Sequence, residues 1–185
     1  MPAIDPFGNQ RTLILGEVNT GKTRATIAIL SRWVAAHPTP LMTVLDLAPE
    51  TVRGVGGRLK PPAGFTGRYC AADIVAPRLT GRNDDQISRL ATANAKAVKP
   101  ILEDILSNPH PILIINDVTL YLQAGDYALL RAVLNSADTA LINAYYGRSF
   151  ADHPISRRER RLTERLIRDC DCVIRMPEGK PTGGL

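Results

Sequence analysis

Cysteine is scarce in this sequence, and aromatic residues are scarcer than usual. Three cysteines stand among 185 residues, at positions 70, 170 and 172. That odd, sparse set excludes a disulfide framework as the source of stability. Aromatics make up 5% of the chain, so the expected core is aliphatic. The three histidines (His37, His110 and His153) are scattered, each beside a proline. Cys170-Asp171-Cys172 has neither a second cysteine pair nor a histidine cluster to complete a zinc site. No apolar stretch approaches the ~18 residues that a membrane-spanning helix needs. The Met1 region shows no basic segment followed by an apolar run. Internal repeats and low-complexity segments are missing too. The expectation is a cytoplasmic protein with no membrane association.

What is present suits one globular α/β domain over residues 1–177 with a loose tail at 178–185. Hydrophobic residues make up 44% and charged residues 22%, and a chain of this length buries a core without staples. The net charge is +5, which favours anionic partners; nucleotide phosphates satisfy it as well as nucleic acid does.

Apolar runs at Arg11–Leu15, Leu41–Leu47, Pro111–Asp117, Asp138–Ala144 and Cys172–Met176 read as strands, and Tyr69–Ile74 as a weaker one. Helical patterns follow from Gly21 to about Ala36, from Asn83 onward, over Tyr127–Ser136, and from Ser156 to about Arg168. Asn83 is the expected cap of the second helix, with Asp84 and Asp85 at its positive end. Pro100 is expected to kink or split that helix before Leu106. Ser156 and Glu159 have the spacing of a capping box. Residues 48–68 are rich in Gly and Pro and read as a long loop, a feature that is often functional. Strands alternating with helices predict a three-layer fold, a mostly parallel sheet with helices on both faces.

Residues 16–23 read Gly16-Glu17-Val18-Asn19-Thr20-Gly21-Lys22-Thr23, the G-x-x-x-x-G-K-[ST] pattern of a Walker A phosphate-binding loop. Gly16 and Gly21 permit backbone angles that gather N–H groups around phosphate oxygens. Lys22 brings charge to the outer phosphates, and the Thr23 hydroxyl is an Mg²⁺ ligand. The helix that follows, opening with Arg24 just past the motif, aims its positive end at the same place. Chance produces this pattern in about 1% of chains of this size, so its position between a strand and a helix is what makes it specific.

Asp117 ends an apolar strand as the acidic residue of a Walker B strand does, and is the second expected metal ligand. Asn116 beside it is placed to orient a water. Asp46 ends another strand and reads either as a water- or acceptor-orienting group or as a capping residue. In open α/β sheets ligands bind beyond the carboxyl ends of strands, so Asp46 and Asp117 are expected near the same phosphates.

The arginines of 157–168 suit a solvated helix face or, less simply, a nucleic-acid-facing one. Arg53, Arg58, Lys60, Arg68, Arg78 and Arg82 surround the long loop, as ordinary surface or as groups that close over an acidic substrate. Tyr145 and Tyr146, before Gly147, suit either base stacking or packing. No N-K-x-D signature of guanine recognition is present, which leaves ATP as the default and GTP as the alternative.

Three stretches resemble the adenosylcobinamide kinase family: Gly16–Thr23 with Arg24; Asp117-Val118-Thr119-Leu120-Tyr121-Leu122; and Asn143, Gly147, Asp171-Cys172-Val173-Ile174 and Gly179-Lys180-Pro181 in order. The resemblance implies a RecA-like sheet and use of a nucleoside triphosphate. It departs between residues 46 and 68, where that family carries a nucleotidyl-accepting histidine followed by arginine and tryptophan. This chain has neither histidine nor tryptophan there, so neither the nucleotidyl transfer nor the cobinamide substrate is carried over.

The sequence thus leads to an Mg²⁺-dependent NTPase or small-molecule kinase, with Lys22, Asp46 and Asp117 as catalytic candidates. A nucleotide-dependent switch for a protein partner and a nucleic-acid-stimulated ATPase are the alternatives. The acceptor and any homo-oligomer are left open.

Overall fold

The computed structural model describes residues 5, 8–36, 41–51, 54–55, 57–150 and 152–177. Six strands form one parallel sheet: β1 (Arg11–Gly16), β2 (Met42–Asp46), β3 (Arg68–Ala71), β4 (Ile112–Asn116), β5 (Thr139–Tyr145) and β6 (Cys172–Arg175). Their order is β3-β2-β4-β5-β1-β6. The four inner strands are buried almost throughout, which is why they read as continuous apolar runs. The edge strands β3 and β6 are only half-buried.

Side chains alternate between two faces, and the alternation divides the core in two. Ile14, Val44, Ile114 and Leu141 pack with Ile29, Leu30 and Trp33 of α1 (Lys22–Ala36). Their neighbours Leu13, Leu45, Ile115 and Ile142 face the opposite layer. That layer holds α3 (Asp84–Ser107), α4 (Thr119–Leu122), α5 (Tyr127–Asn135) and α6 (Pro154–Asp169), after the short α2 (Pro77–Thr80). The three-layer α/β architecture is therefore as expected, though a single helix covers most of one face.

The first crossover carries the chain from β1 past β5 and β4 to β2. Later segments return to fill the gap and then add β6 outside. The loop after β1 and the ends of β4 and β5 thus meet at a place where the strand order reverses, the usual position of a ligand crevice.

Asn83 caps α3 as expected, its side chain accepting from the Gln86 N–H at 2.9 Å. Two other expectations are corrected. Of the kink or split expected at Pro100, the split does not occur, and α3 runs on to Ser107. Pro100 and Lys96, whose carbonyl loses its amide partner, are both exposed. Ser156 and Glu159 form no capping box either, because α6 begins two residues earlier. His153 caps it instead, Nδ1 accepting from the Ile155 N–H at 3.1 Å, and Pro154 takes the first turn. Arg53, His37 and the tail from residue 178 lie outside the described residues. Among the described residues no helix is long and apolar enough to cross a membrane.

Because Pro100 sits on an exposed helical face, Pro100→Ala should stabilise the protein, by up to about 3 kcal/mol. Urea midpoints compared at equal slope measure this. A lower midpoint would show that α3 depends on the proline.

Candidate functional site

The site begins with backbone shape. After β1 the loop turns through Asn19 at φ 58° and Gly21 at φ 84°, left-handed angles that a glycine adopts without strain and asparagine tolerates. The N–H groups of Lys22 and Thr23 open α1 and have no acceptor within the helix. Lys22 folds back over the loop, Nζ donating to the Glu17 carbonyl at 2.6 Å. Burial pushes the Lys22 ammonium below its usual pKa, against the opposing pull of Asp117 and Glu17.

Glu17 secures the other side of the loop. Its carboxylate accepts from the Arg148 N–H at 2.6 Å and the Val18 N–H at 3.1 Å. Burial works against the charge, but these amide donors hold the carboxyl below its ordinary pKa. A Cβ at position 147 would collide with this carboxylate, so Gly147 is there to let the 145–149 turn close on the loop after β1.

Beneath the loop lies a row of buried polar side chains. Toward the carboxyl ends of β2, β4 and β5, the α1-facing rows carry Asp46, Asn116 and Asn143, all buried. Asn143 Nδ2 donates to Thr26 Oγ1 of α1 at 2.9 Å and to Asn116 Oδ1 at 2.7 Å. Asn116 Nδ2 donates to Asp46 Oδ1 at 2.7 Å. The Thr23 hydroxyl donates to Asn116 Oδ1 at 3.2 Å.

This arrangement changes the roles that the sequence suggested. Asn116, the last residue of β4, meets the hydroxyl of Thr23, the position where Asp117 was expected. Asp46 accepts from Asn116 and from the Ala48 N–H on one oxygen, and from the Leu59 N–H (2.6 Å) and the Tyr69 hydroxyl (2.8 Å) on the other. With no exposed surface and both oxygens engaged, it anchors the loop after β2, which is the capping alternative, and is not positioned to meet a phosphate.

Asp117 follows in a left-handed conformation, φ 55°. Its N–H donates to Asn143 Oδ1 at 2.8 Å, and its carboxylate accepts from the Thr119 hydroxyl. Burial raises its pKa, opposed by the Thr119 hydrogen bond and by Lys22 and Arg78. Strain at one residue thus turns this carboxylate toward the lysine.

A cavity of about 510 Å³ opens over these groups. Residues 18–24 line its floor, with Asp117 and Asn143 beside them. Arg24 is part of this lining, whereas Gly16 and Glu17 are not. Pro49 and Val55 of the loop after β2, Ala76–Leu79 and Leu120 also line it.

Arg78 is the group in this lining whose setting the sequence did not reveal. Its guanidinium pairs with both Glu159 oxygens, at 3.1 and 3.0 Å, and stacks 4.0 Å from the centre of the Phe150 ring. Gln123 donates to Glu159 at 2.7 Å. Burial pushes the Glu159 carboxyl up to about 7 despite Arg78. Most α6 arginines are engaged within the fold as well. Arg158 donates to the Leu122 and Gly125 carbonyls, Arg157 pairs with Asp152, and Arg160 and Arg165 cover Tyr146 and Tyr127. Cys70, Cys170 and Cys172 are unpaired. Among the described residues no cluster of three or more His, Cys, Asp or Glu has the arrangement of a metal site.

Comparison with protein-family models finds none that matches this chain, and comparison with curated proteins finds no match.

Glu159 binds its proton more tightly folded (about 7) than its ordinary value of 4.5. Its contribution to stability is therefore full below pH 4.5 and is lost as pH rises toward 7. Glu159→Gln should flatten that part of the stability–pH curve, read as urea midpoints at pH 5 and pH 8. An unchanged slope would place the titration elsewhere.

Proposed function

We propose that the protein binds a nucleoside triphosphate, ATP or GTP, with Mg²⁺ in the 510 Å³ cavity and acts on its outer phosphate. The supporting observation is the shape of residues 16–23: left-handed turns at Asn19 and Gly21, a lysine curled over the loop, and a threonine hydroxyl held by Asn116. The donor set fits the ligand. Amide N–H groups and an ammonium suit phosphate oxygens, while the Thr23 hydroxyl suits a hard, oxygen-seeking cation that the phosphates themselves chelate. Bound Mg²⁺ supplies charge neutralisation on the outer phosphates.

Within this reading the chain positions more than it reacts. Lys22 exchanges the Glu17 carbonyl for phosphate oxygens. Asn116 orients the Thr23 hydroxyl. Asp117, its proton affinity raised by burial, takes the proton of the attacking hydroxyl group. Asp46 acts at one remove, through Asn116. The internal pairing of the α6 arginines makes a nucleic-acid-stimulated ATPase the weaker reading.

Calorimetry with ATP and GTP, with and without Mg²⁺, tests the proposal. Lys22→Ala should lower Mg²⁺-strengthened affinity at least about tenfold. Asp117→Asn should keep binding and lose about 100-fold or more in turnover. Equal affinity in wild type and Lys22→Ala would remove the phosphate assignment.

A further inference from the structure

We propose that a second cavity, of about 220 Å³, is a binding site for a small phosphate monoester, held by the guanidinium groups of Arg78, Arg148, Arg157 and Arg160. This site is independent of the triphosphate reading of the first cavity.

The two cavities share a wall. Arg78, Tyr145 and Phe150 line both, and the three side chains stack on one another. The Tyr145 and Phe150 rings meet edge to face with centres 5.1 Å apart. The Arg78 guanidinium lies 4.0 Å from the centre of Phe150 and 5.5 Å from that of Tyr145. The rest of the second cavity comes from the segment after β5 and the first two turns of α6. Between residues 145 and 160 only Ala151, which is uncharged, lies outside the described residues.

Positive charge is in excess here. Four guanidiniums line the cavity with two carboxylates, Asp152 and Glu159, which leaves two positive charges uncompensated. Both carboxylates are taken, Asp152 by Arg157 at 2.6 Å and Glu159 by Arg78 at 3.0 Å. Arg160 reaches only the Gly147 carbonyl and the Tyr146 hydroxyl, each at 3.3 Å, and Glu164, outside the lining, at 3.5 Å. Among the described residues the Arg148 guanidinium has no hydrogen bond or ion pair; its backbone N–H alone is engaged, by Glu17.

Arginines on an open surface are simply solvated. In a hollow walled by the Tyr145, Tyr146 and Phe150 rings, low-dielectric surroundings concentrate the field of the uncompensated charge. Arg160 is already laid across the Tyr146 ring, 4.6 Å from its centre, which removes part of the ordering cost of binding. Guanidiniums present paired N–H donors to the oxygens of a phosphate. A phosphate monoester is dianionic above its second pKa of about 6, so it matches the excess without breaking either ion pair. A monocarboxylate neutralises half of it. The volume falls below the roughly 300–1,000 Å³ of drug-sized sites, which limits the ester to a short carbon skeleton.

Calorimetry with glycerol 3-phosphate, without Mg²⁺ and at pH 8, tests the site; both carboxylates and the ester are then ionised. Lys22→Ala, which removes the ammonium of the first cavity, should still take up one equivalent. On that background Arg148→Ala should weaken binding at least about tenfold. Arg160→Ala is the second variant. Both arginines are exposed, so their loss leaves the buried Arg78–Glu159 pair intact. Lactate, similar in size but with one charge, should bind at least about tenfold more weakly than the ester. Undiminished affinity in both arginine variants, equal affinity for lactate, or a dissociation constant above about 10 mM in every protein overturns the site. Binding that is lost in Lys22→Ala and kept in Arg148→Ala also overturns it, because the ester then sits in the first cavity. Arg148-dependent binding of the ester in a protein that binds no nucleotide would refute the triphosphate reading alone.

Discussion

The buried hydrogen-bond row from Thr26 through Asn143 and Asn116 to Asp46 is the constraint on which the site depends. It crosses three strands and ties them to α1. Every member is placed so that the loss of one partner strands another: Asn116 Oδ1 serves both Asn143 and Thr23, and Asp46 serves four donors. A buried polar group left unpaired costs about 1–3 kcal/mol, so the row either forms as a unit or works against the fold. A strand slipped by one residue would turn these side chains into the other layer. The row therefore fixes the register of β2, β4 and β5 as firmly as the apolar contacts do.

Position follows from this row in two directions. Toward the cavity, Asn143 holds the Asp117 N–H and Asn116 holds the Thr23 hydroxyl. Toward the sheet edge, Asp46 holds the Leu59 N–H and the Tyr69 hydroxyl. The loop that supplies Pro49 and Val55 to the cavity is thus pinned at the same carboxylate that supports the floor. Glu17 binds the 145–149 turn to the loop after β1. The cavity is framed by segments distant in sequence because polar side chains at strand ends reach all of them.

Much of this was legible in the sequence where local pattern decides. The inner strands announce themselves as apolar runs, and the turn between β1 and α1 as a fixed spacing of Gly, Lys and Thr. Asn83 reads correctly as a cap because its partner lies three residues away. Less legible were features that distant partners determine. Arg78 and Glu159 are 81 residues apart, and Glu159 looked like a capping residue only because its true partner was out of view. The four-residue helices α2 and α4 are too short for any period to show. Asp46 was ambiguous because its donors lie up to 70 residues away. One signal does lie in the sequence: near the ends of three apolar runs stand Asp46, Asn116 and Asn143, which share one face. Polar residues in step at neighbouring strand ends have to be bonded to one another.

Asn116 carries a further consequence. The group that holds the Thr23 hydroxyl is a neutral amide, and among the described residues Asp117 is the one carboxylate lining the cavity. Lys22 offsets that charge before anything binds. A bare dication finds almost no net attraction in such a place, whereas one already chelated by a polyphosphate brings its own ligands. On the proposed reading, the order of arrival is therefore set by electrostatics, and cation and nucleotide enter as a single complex.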